Sequence, residues 1–179
     1  LLQRPSADLA ATICQVWDPA ALKPVGPEFE LRPPPAITEL SADGARLLLH
    51  RDGGPILARD LASGKEMAGE GKLHSVRILE TSADGRRILA VECPPRGKPD
   101  AEGELTPEGH LPRAAVHVLD ARTLKPVVPR RMYEQRKRRP LFRLSPDGAQ
   151  LLVGRDNELE RFAVDDGRGI DSLPLAGLD

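Results

Sequence analysis

The sequence predicts an all-β fold built from repeated antiparallel sheets, and three observations carry this prediction. Proline occurs 18 times and glycine 16 times in 179 residues, so we expect many chain reversals and few long helices. Aromatic residues make up 3% of the chain, so the core must consist mainly of Leu, Val, Ile and Ala. The third observation is an internal repeat, whose period decides the architecture.

Length and composition set the broad class. With 40% apolar residues, 30% charged residues and a net charge of −1, the chain is expected to be a soluble domain or a piece of one. No apolar stretch approaches the ~20 residues of a membrane helix, and no signal peptide is recognisable, so we expect a cytoplasmic protein. Cys14 and Cys93 are too few for a disulfide framework and are expected to be buried free thiols.

A Ser-x-Asp-Gly group marks each repeat. It occurs at residues 41–44, 82–85 and 145–148, and an apolar run follows each copy. A second apolar run then closes on an aspartate, and these closing aspartates are Asp18, Asp60, Asp120 and Asp165. They are 42, 60 and 45 residues apart, and the longest interval holds a proline-rich insertion at 93–113. Without that insertion the period is ~40–45 residues, which with four short strands per unit is typical of a β-propeller.

Each segment of the repeat has a physical reason in a four-stranded antiparallel blade. The first strand, such as AITEL at 36–40, runs into a tight hairpin in which Asp bonds backbone N–H groups and Gly takes a positive φ. The second and third strands are almost continuously apolar, as expected when neighbouring blades cover both faces. Two Leu-Lys-Pro-Val stretches, at 22–25 and 124–127, are assigned to the fourth strand, an edge that tolerates proline. The predicted turn residues are Asp43, Gly44, Asp84, Gly85, Asp147 and Gly148.

The repeat divides the chain into about three and a half blades of one incomplete propeller. We expect a partial blade of outer strands at 1–34, a blade at 35–70, a blade with the insertion at 71–129, and a blade at 130–179. A closed ring typically has four to eight blades. The chain begins at Leu1 without an initiator Met, so we expect a fragment whose other blades lie upstream.

These features resemble WD40-repeat proteins over about residues 11–175. The resemblance is carried by VWDPAALKPVGP (16–27), by the SADG and SPDG turns, and by the repeat length. It is greatest to the degenerate, proline-rich arrays of bacterial proteins, in which the propeller often follows a protein-kinase domain. Trp17-Asp18 is the one true WD pair and the Gly-His dipeptide is missing at the blade starts. The resemblance therefore implies the fold without the intact hydrogen-bond network of the family.

Ser41, Asp43 and His50 present the residue types of a hydrolase triad. The Ser and the Asp recur in all three hairpins, however, while the His does not, so we interpret the group as a turn. There is no GxSxG elbow, and the four histidines show neither HExxH spacing nor a His/Cys cluster. We therefore predict no catalytic residue, no metal site and no cofactor, and expect that the chain is not an enzyme.

The most unusual surface feature is the basic stretch RRMYEQRKRR at 130–139. Such a cluster can bind an acidic protein, a phosphate or nucleic acid, or can simply form an exposed link between blades. The insertion at 93–113 is a second candidate, because long loops in compact domains are often functional or disordered. The candidate partner-binding residues are Arg130, Arg131, Arg136, Lys137, Arg138 and Arg139.

Three functions follow from this reading. The favoured one is a non-catalytic propeller segment that serves as a protein–protein interaction scaffold within a larger protein. The second is the propeller domain of an enzyme such as a peptidase or another hydrolase. The third, less favoured, is a nucleic-acid-associated protein that uses the basic stretch, in which Tyr133 is the sole aromatic residue available for stacking.

Overall fold

The structure, a computed structural model, describes residues 1–7, 10–93, 113–134, 140–155 and 157–174. These residues form seventeen strands and contain no helix, so the predicted all-β fold is confirmed. None of the described segments is a helix long and apolar enough to cross a lipid bilayer. The strands are β1 Leu2–Pro5, β2 Thr12–Gln15, β3 Trp17–Asp18, β4 Lys23–Pro24, β5 Phe29–Leu31, β6 Ile37–Leu40, β7 Arg46–His50, β8 Ile56–Asp60, β9 Glu66–Ala68, β10 Val76–Thr81, β11 Arg87–Glu92, β12 Arg113–Asp120, β13 Arg131–Glu134, β14 Leu141–Leu144, β15 Gln150–Arg155, β16 Glu158–Ala163 and β17 Gly169–Pro174.

The strands form five sheets, which make up four successive units that we call blades 1 to 4. Blades 2, 3 and 4 are four-stranded and consist of β6–β9, β10–β13 and β14–β17 in chain order, and all their pairings are antiparallel. Blade 1 is smaller, with a three-stranded sheet in the order β1-β2-β5 and a short β3-β4 ladder. The blade boundaries expected at 34, 70 and 129 stay predictions.

The fourth strand of blade 3 does not coincide with its Leu-Lys-Pro-Val stretch. In residues 124–127, Pro126 makes an isolated bridge to Leu119. The ladder between β13 and β12 runs from the pair Arg131 and Val116 to the pair Glu134 and Arg113. Pro126 and Pro129 have no N–H to donate, which explains why a continuous ladder forms beyond them.

The core lies between the blades. Since successive side chains of a strand point to opposite faces, Leu47 and Leu49 pack against Cys14 and Leu31 of blade 1, while Leu48 packs against blade 3. The interface between blades 3 and 4 repeats this arrangement with Leu89, Val91, Phe142, Leu151 and Val153. The second strands are buried on both faces, which explains their continuous apolar runs, and each fully buried leucine contributes about 1.5–3 kcal/mol.

The three Ser-x-Asp-Gly hairpins share one hydrogen-bond pattern. Ser41 Oγ donates to Asp43 Oδ1 at 2.6 Å, and Asp43 Oδ1 also accepts from the N–H of Ala45 at 3.0 Å. Gly44 has a φ of 69°, a conformation in which glycine is favoured. The serine hydroxyl is the main cause that lowers the pKa of the aspartate in each hairpin. The same contacts recur around Ser82 and Ser145.

The closing aspartates cap the turns between third and fourth strands. The Oδ1 atoms of Asp18, Asp60 and Asp120 accept hydrogen bonds from backbone N–H groups of the following turn. In blades 1 and 3 the fourth residue after this aspartate is a leucine with a positive φ, 51° at Leu22 and 56° at Leu124. These leucines occupy a conformation that is strained for a side chain with a Cβ atom.

Candidate interaction surface

The loops of each blade lie at two opposite ends. The Ser-x-Asp-Gly hairpins and the capped turns share one end, as the cross-strand pair of Arg87 with Asp120 shows. We call this the turn end. The connections between second and third strands and the linkers from one blade to the next leave the opposite end, which we call the linker end. A partner that binds loops would therefore contact hairpins and capped turns at the turn end, and linkers and second-to-third-strand connections at the linker end.

Ser41, Asp43 and His50 are not brought together as a catalytic group. Ser41 and Asp43 bond each other at the turn end, and β7 carries His50 to the linker end. There the His50 side chain is fully buried, and its Nε2 lies 3.0 Å from the carbonyl oxygen of Leu73. Because a carbonyl can only accept, this Nε2 must carry the hydrogen.

One peptide unit at the linker end is held by both of the blades that it joins. It connects Leu73 to His74; its carbonyl accepts from His50 of blade 2, and its N–H donates to Glu92 Oε1 of blade 3 at 2.6 Å. The other carboxylate oxygen of Glu92 lies 2.8 Å from His117 Nε2, so both oxygens of this buried group have a partner. The sequence gives no signal for this clamp, because its members come from four separate segments.

Arginines connect the blades at the turn end. Arg46 of blade 2 donates through Nη1 to the carbonyl oxygen of Ala121 in blade 3 at 2.9 Å. Arg87 of blade 3 lies 3.4 Å from Asp120 in its own blade and 3.5 Å from Asp165 in blade 4. Both arginines follow the hairpin serine by five positions, and this spacing is the one sequence signal that could have revealed them.

Of the candidate partner-binding residues, the structure places two. Arg130 is exposed, just before β13. Arg131 is half-buried, and its guanidinium lies over the Phe162 ring of blade 4, 4.6 Å from the ring centroid. A Cβ atom at Gly167 would lie 2.8 Å from Arg131 Nη2, so this glycine leaves room for the guanidinium. The other four candidates lie outside the described residues: Arg136, Lys137, Arg138 and Arg139.

The insertion and the basic stretch are anchored side by side. Residues 94–112 of the insertion lie outside the described residues, but β12 begins at Arg113, directly after them. Arg113 is the cross-strand partner of Glu134, the last residue of β13, after which the basic stretch continues. Both segments therefore leave blade 3 from adjacent positions at the linker end.

The first strands of blades 2 to 4, which are β6, β10 and β14, carry charged side chains. Glu80 of β10 accepts from Arg143 Nη1 and from the N–H of Leu144 in β14, both at 3.1 Å. Burial, and then the nearby carboxylate of Glu80, raise the pKa of Glu39 in β6. The first strands of blades 2 to 4 therefore present both signs of charge close together.

Neither metal-ligating clusters nor disulfides occur in the part of the chain that the structure describes. No group of three His, Cys, Asp or Glu side chains there could hold a metal ion. Neither Cys14, which is buried, nor Cys93, which is half-buried, forms a disulfide, and burial raises the pKa of Cys14.

No protein-family model and no curated protein matches this sequence. Solved structures do match over most of the chain. Acylaminoacyl peptidase from Pyrococcus horikoshii is 15% identical with a TM-score of 0.59, over 91% of this chain and 30% of that one. Hsv2 from Kluyveromyces lactis is 12% identical with a TM-score of 0.61, over 93% and 56%. A eukaryotic initiation factor is 16% identical with a TM-score of 0.59, over 99% and 40%.

At these identities the likeness concerns the fold, and it confirms the predicted β-propeller architecture of antiparallel blades. This chain spans between 30% and 56% of the length of these three structures. The resemblance to WD40 repeats is supported at the level of the propeller fold, and no match shows membership of that family.

The expectation that the chain is not an enzyme is corrected by these matches. Several of the matching structures are of acylaminoacyl peptidase, so this fold occurs within peptidases. The expectation relied on repeated turns and on the missing triad, and both are properties of the propeller itself. A fold does not determine function, so a propeller carries no argument against an enzyme.

Proposed function

We propose that the chain is a cytoplasmic interaction propeller of the WD40 type that binds an acidic protein at the linker end of blade 3. The observation that carries this proposal is the cross-strand pair of Arg113 and Glu134. It brings Arg113, at the end of the insertion, beside Glu134, in the middle of the basic stretch. Two long or charged segments that leave one rigid sheet side by side can contact one partner together.

The base of this surface is held firmly, which favours binding. Tyr133 of β13 packs edge-to-face against Phe142 and Phe162 of blade 4, with ring centroids 5.3 and 6.3 Å apart. Arg131 lies over the Phe162 ring. A rigid base reduces the ordering cost of binding. We therefore assign Arg131 to the interface between blades, and we propose that Arg136, Lys137, Arg138 and Arg139 contact the partner.

Titration with poly-glutamate at several salt concentrations tests this proposal. A variant with glutamine at the four proposed contact positions should lose most of its affinity, since it lacks the charges that attract the polyanion. The matched control removes the same charge from exposed residues at the turn end and should keep its affinity. Equal losses in both variants would show an effect of net charge alone and contradict the proposed surface. The control residues are Arg86, Arg122, Lys125 and Arg168.

The same titration with an oligonucleotide separates the third function from the first. Phosphate contacts release counterions, so specific use of the basic stretch would give an affinity that falls steeply with salt. If the oligonucleotide binds more tightly than poly-glutamate, and only the first variant loses this binding, nucleic acid replaces the acidic protein as the partner.

A second candidate function is that this propeller is part of a peptidase. It is favoured by the match of 91% of the chain to acylaminoacyl peptidase. The test is the release of the N-terminal residue from N-acylated peptides by the full-length protein. Turnover would support this candidate, and its absence in a folded full-length protein would contradict it.

A further inference from the structure

The chain contains five Asp-Gly pairs, a dipeptide with a chemistry of its own. The glycine nitrogen can attack the preceding carboxyl group, because no side chain on the glycine hinders the approach. The product is a five-membered imide, which water reopens either to aspartate or to isoaspartate, in which the main chain runs through the side-chain carbon. The five pairs begin at Asp43, Asp52, Asp84, Asp147 and Asp166.

Four of the five glycines cannot attack without breaking a hydrogen bond of the fold. The N–H groups of Gly44, Gly85 and Gly148 each donate to the carbonyl oxygen of their hairpin serine, at 2.8 to 2.9 Å. The N–H of Gly53 donates to the carbonyl oxygen of Leu73 at 2.9 Å. An amide hydrogen that is held in this way must first be released, so the fold slows cyclisation at these four pairs.

The carboxyl groups of these four pairs are restrained as well. Each hairpin aspartate accepts from a serine hydroxyl and from a backbone N–H, and the serine bond is the main cause that lowers its pKa. Cyclisation needs the protonated acid, whose hydroxyl leaves as water, so a lowered pKa keeps the reactive form scarce. Asp52 is tied to the linker between blades 2 and 3, where it accepts from the N–H of Ser75 at 2.7 Å.

The fifth pair, Asp166-Gly167, is restrained less. It lies in the turn between β16 and β17, Asp166 is exposed, and no described residue accepts a hydrogen bond from the N–H of Gly167. Asp166 Oδ1 accepts from the N–H of Arg168 at 2.9 Å, a bond within the same turn. The guanidinium of Arg131 lies beside Gly167, since a Cβ atom there would be 2.8 Å from Nη2. A positive charge at this place stabilises the negative charge that develops as the amide nitrogen attacks.

We propose that Asp166 is a site of spontaneous isomerisation, and that the folded chain forms isoaspartate there faster than at the other four pairs. The Gly167 nitrogen bonds to Cγ of Asp166, and its hydrogen leaves with the carboxyl hydroxyl as one water molecule. Water then cleaves the bond between this nitrogen and the main-chain carbonyl carbon of Asp166. The resulting isoaspartate has the same composition as the parent residue, and the reaction uses no reactant besides water.

Isomerisation at this turn would act on the junction between blades 3 and 4. It adds one carbon atom to the main chain before Gly167 and leaves a free carboxylate on the α-carbon of Asp166. Gly167 is buried beside Arg131, whose guanidinium lies over the Phe162 ring, so we expect the longer turn to separate these groups. This inference is independent of the partner proposed above.

Incubation of the folded 179-residue chain in neutral buffer, followed by tryptic digestion, compares the five pairs within one molecule. Trypsin leaves each Asp-Gly pair in a separate peptide, and an isoaspartate-specific carboxyl methyltransferase measures the product in each. We expect isoaspartate to form at Asp166 at least ~5-fold faster than at each other pair, the factor for one hydrogen bond that need not break. A rate at any of the other four pairs that equals the rate at Asp166 would overturn the proposal.

The same incubation in concentrated urea shows whether the fold causes the difference. The five rates should become similar there, because the hydrogen bonds that protect four of the pairs are lost. Asp166→Glu should abolish the main signal, since the longer side chain would have to close a six-membered ring. The matched control, Asp165→Glu, changes the exposed aspartate one position earlier and should keep the signal. A lead of Asp166 that persists unchanged in urea, or a signal that survives Asp166→Glu, would overturn the proposal equally.

Discussion

The three hairpin glycines provide a controlled test of how tightly the blades pack. Gly44, Gly85 and Gly148 occupy the same position of the repeat and have almost the same φ, 69°, 70° and 66°. A Cβ atom at Gly44 or Gly85 would meet nothing within 4 Å. At Gly148 it would lie 2.7 Å from Arg87 Cγ and 3.1 Å from Ser82 Oγ, both in blade 3.

Alanine at these positions should therefore have two different costs. A left-handed conformation costs a residue with a Cβ atom about 1–2 kcal/mol, and alanine regains about 0.4–1 kcal/mol by restricting the unfolded chain. We expect Gly44→Ala and Gly85→Ala each to lower the free energy of unfolding by about 1 kcal/mol. Gly148→Ala adds an overpacking term of about 1–3 kcal/mol, for a total of about 2–4 kcal/mol.

Urea unfolding followed by far-ultraviolet circular dichroism, at one fixed protein concentration, measures these differences. A double variant isolates the packing term, because Arg87→Ala removes the Cγ atom that the new methyl group would meet. In that background Gly148→Ala should cost about 1–2 kcal/mol less than in the parent. Equal costs at all three glycines would refute the close approach of blade 4 to blade 3 at this hairpin.

Three further predictions concern stability measured in the same way. Because the pKa of each hairpin aspartate is lowered by folding, these groups stabilise the fold above the unfolded pKa of about 3.9, and this stability is lost as the pH falls through the folded value. Replacing their three serine partners by alanine should flatten the loss in an acid titration of the free energy of unfolding. Arg131→Ala should lower the free energy of unfolding by about 1 kcal/mol through the lost stacking on Phe162. The control Arg122→Ala, at an exposed turn, should change it by less than about 0.5 kcal/mol, and equal effects would contradict the stacking. Leu22→Gly should stabilise the fold by about 0.5 kcal/mol by relieving a positive φ. Leu124→Gly should destabilise it by about 2–4 kcal/mol because Leu124 is fully buried. Two effects of the same sign would contradict the contrast between a strained exposed leucine and a strained buried one.

The sheet repeat was accessible from the sequence because its signals are local. A hairpin such as Ser41 to Arg46 is specified by hydrogen bonds between residues at most five positions apart. The alternation of the β7 leucines between contacts with blade 1 and contacts with blade 3 follows from strand geometry alone. These features need no knowledge of which strand lies beside which blade.

The contacts between blades were not accessible, because their partners are distant in the chain. Nothing near Glu92 in the sequence indicates that it binds His117 and the N–H of His74. Likewise, Arg131 was assigned to a binding surface from its charged neighbours, yet it lies over a ring thirty-one positions later, that of Phe162. A side chain placed on a blade surface has a role that depends on the next blade, and a local pattern does not contain that information.

The peptide unit between Leu73 and His74 contacts both blade 2 and blade 3, so the amide hydrogen of His74 can report on the contact between these blades. The His74 side chain is exposed, yet its amide hydrogen points at a carboxylate that is 2% exposed and belongs to the neighbouring blade. Solvent can replace this hydrogen when its bond to Glu92 opens, so its exchange rate reports the free energy of opening at this contact between blades 2 and 3. Hydrogen–deuterium exchange at His74 can thus follow the opening between blades 2 and 3 without an attached probe.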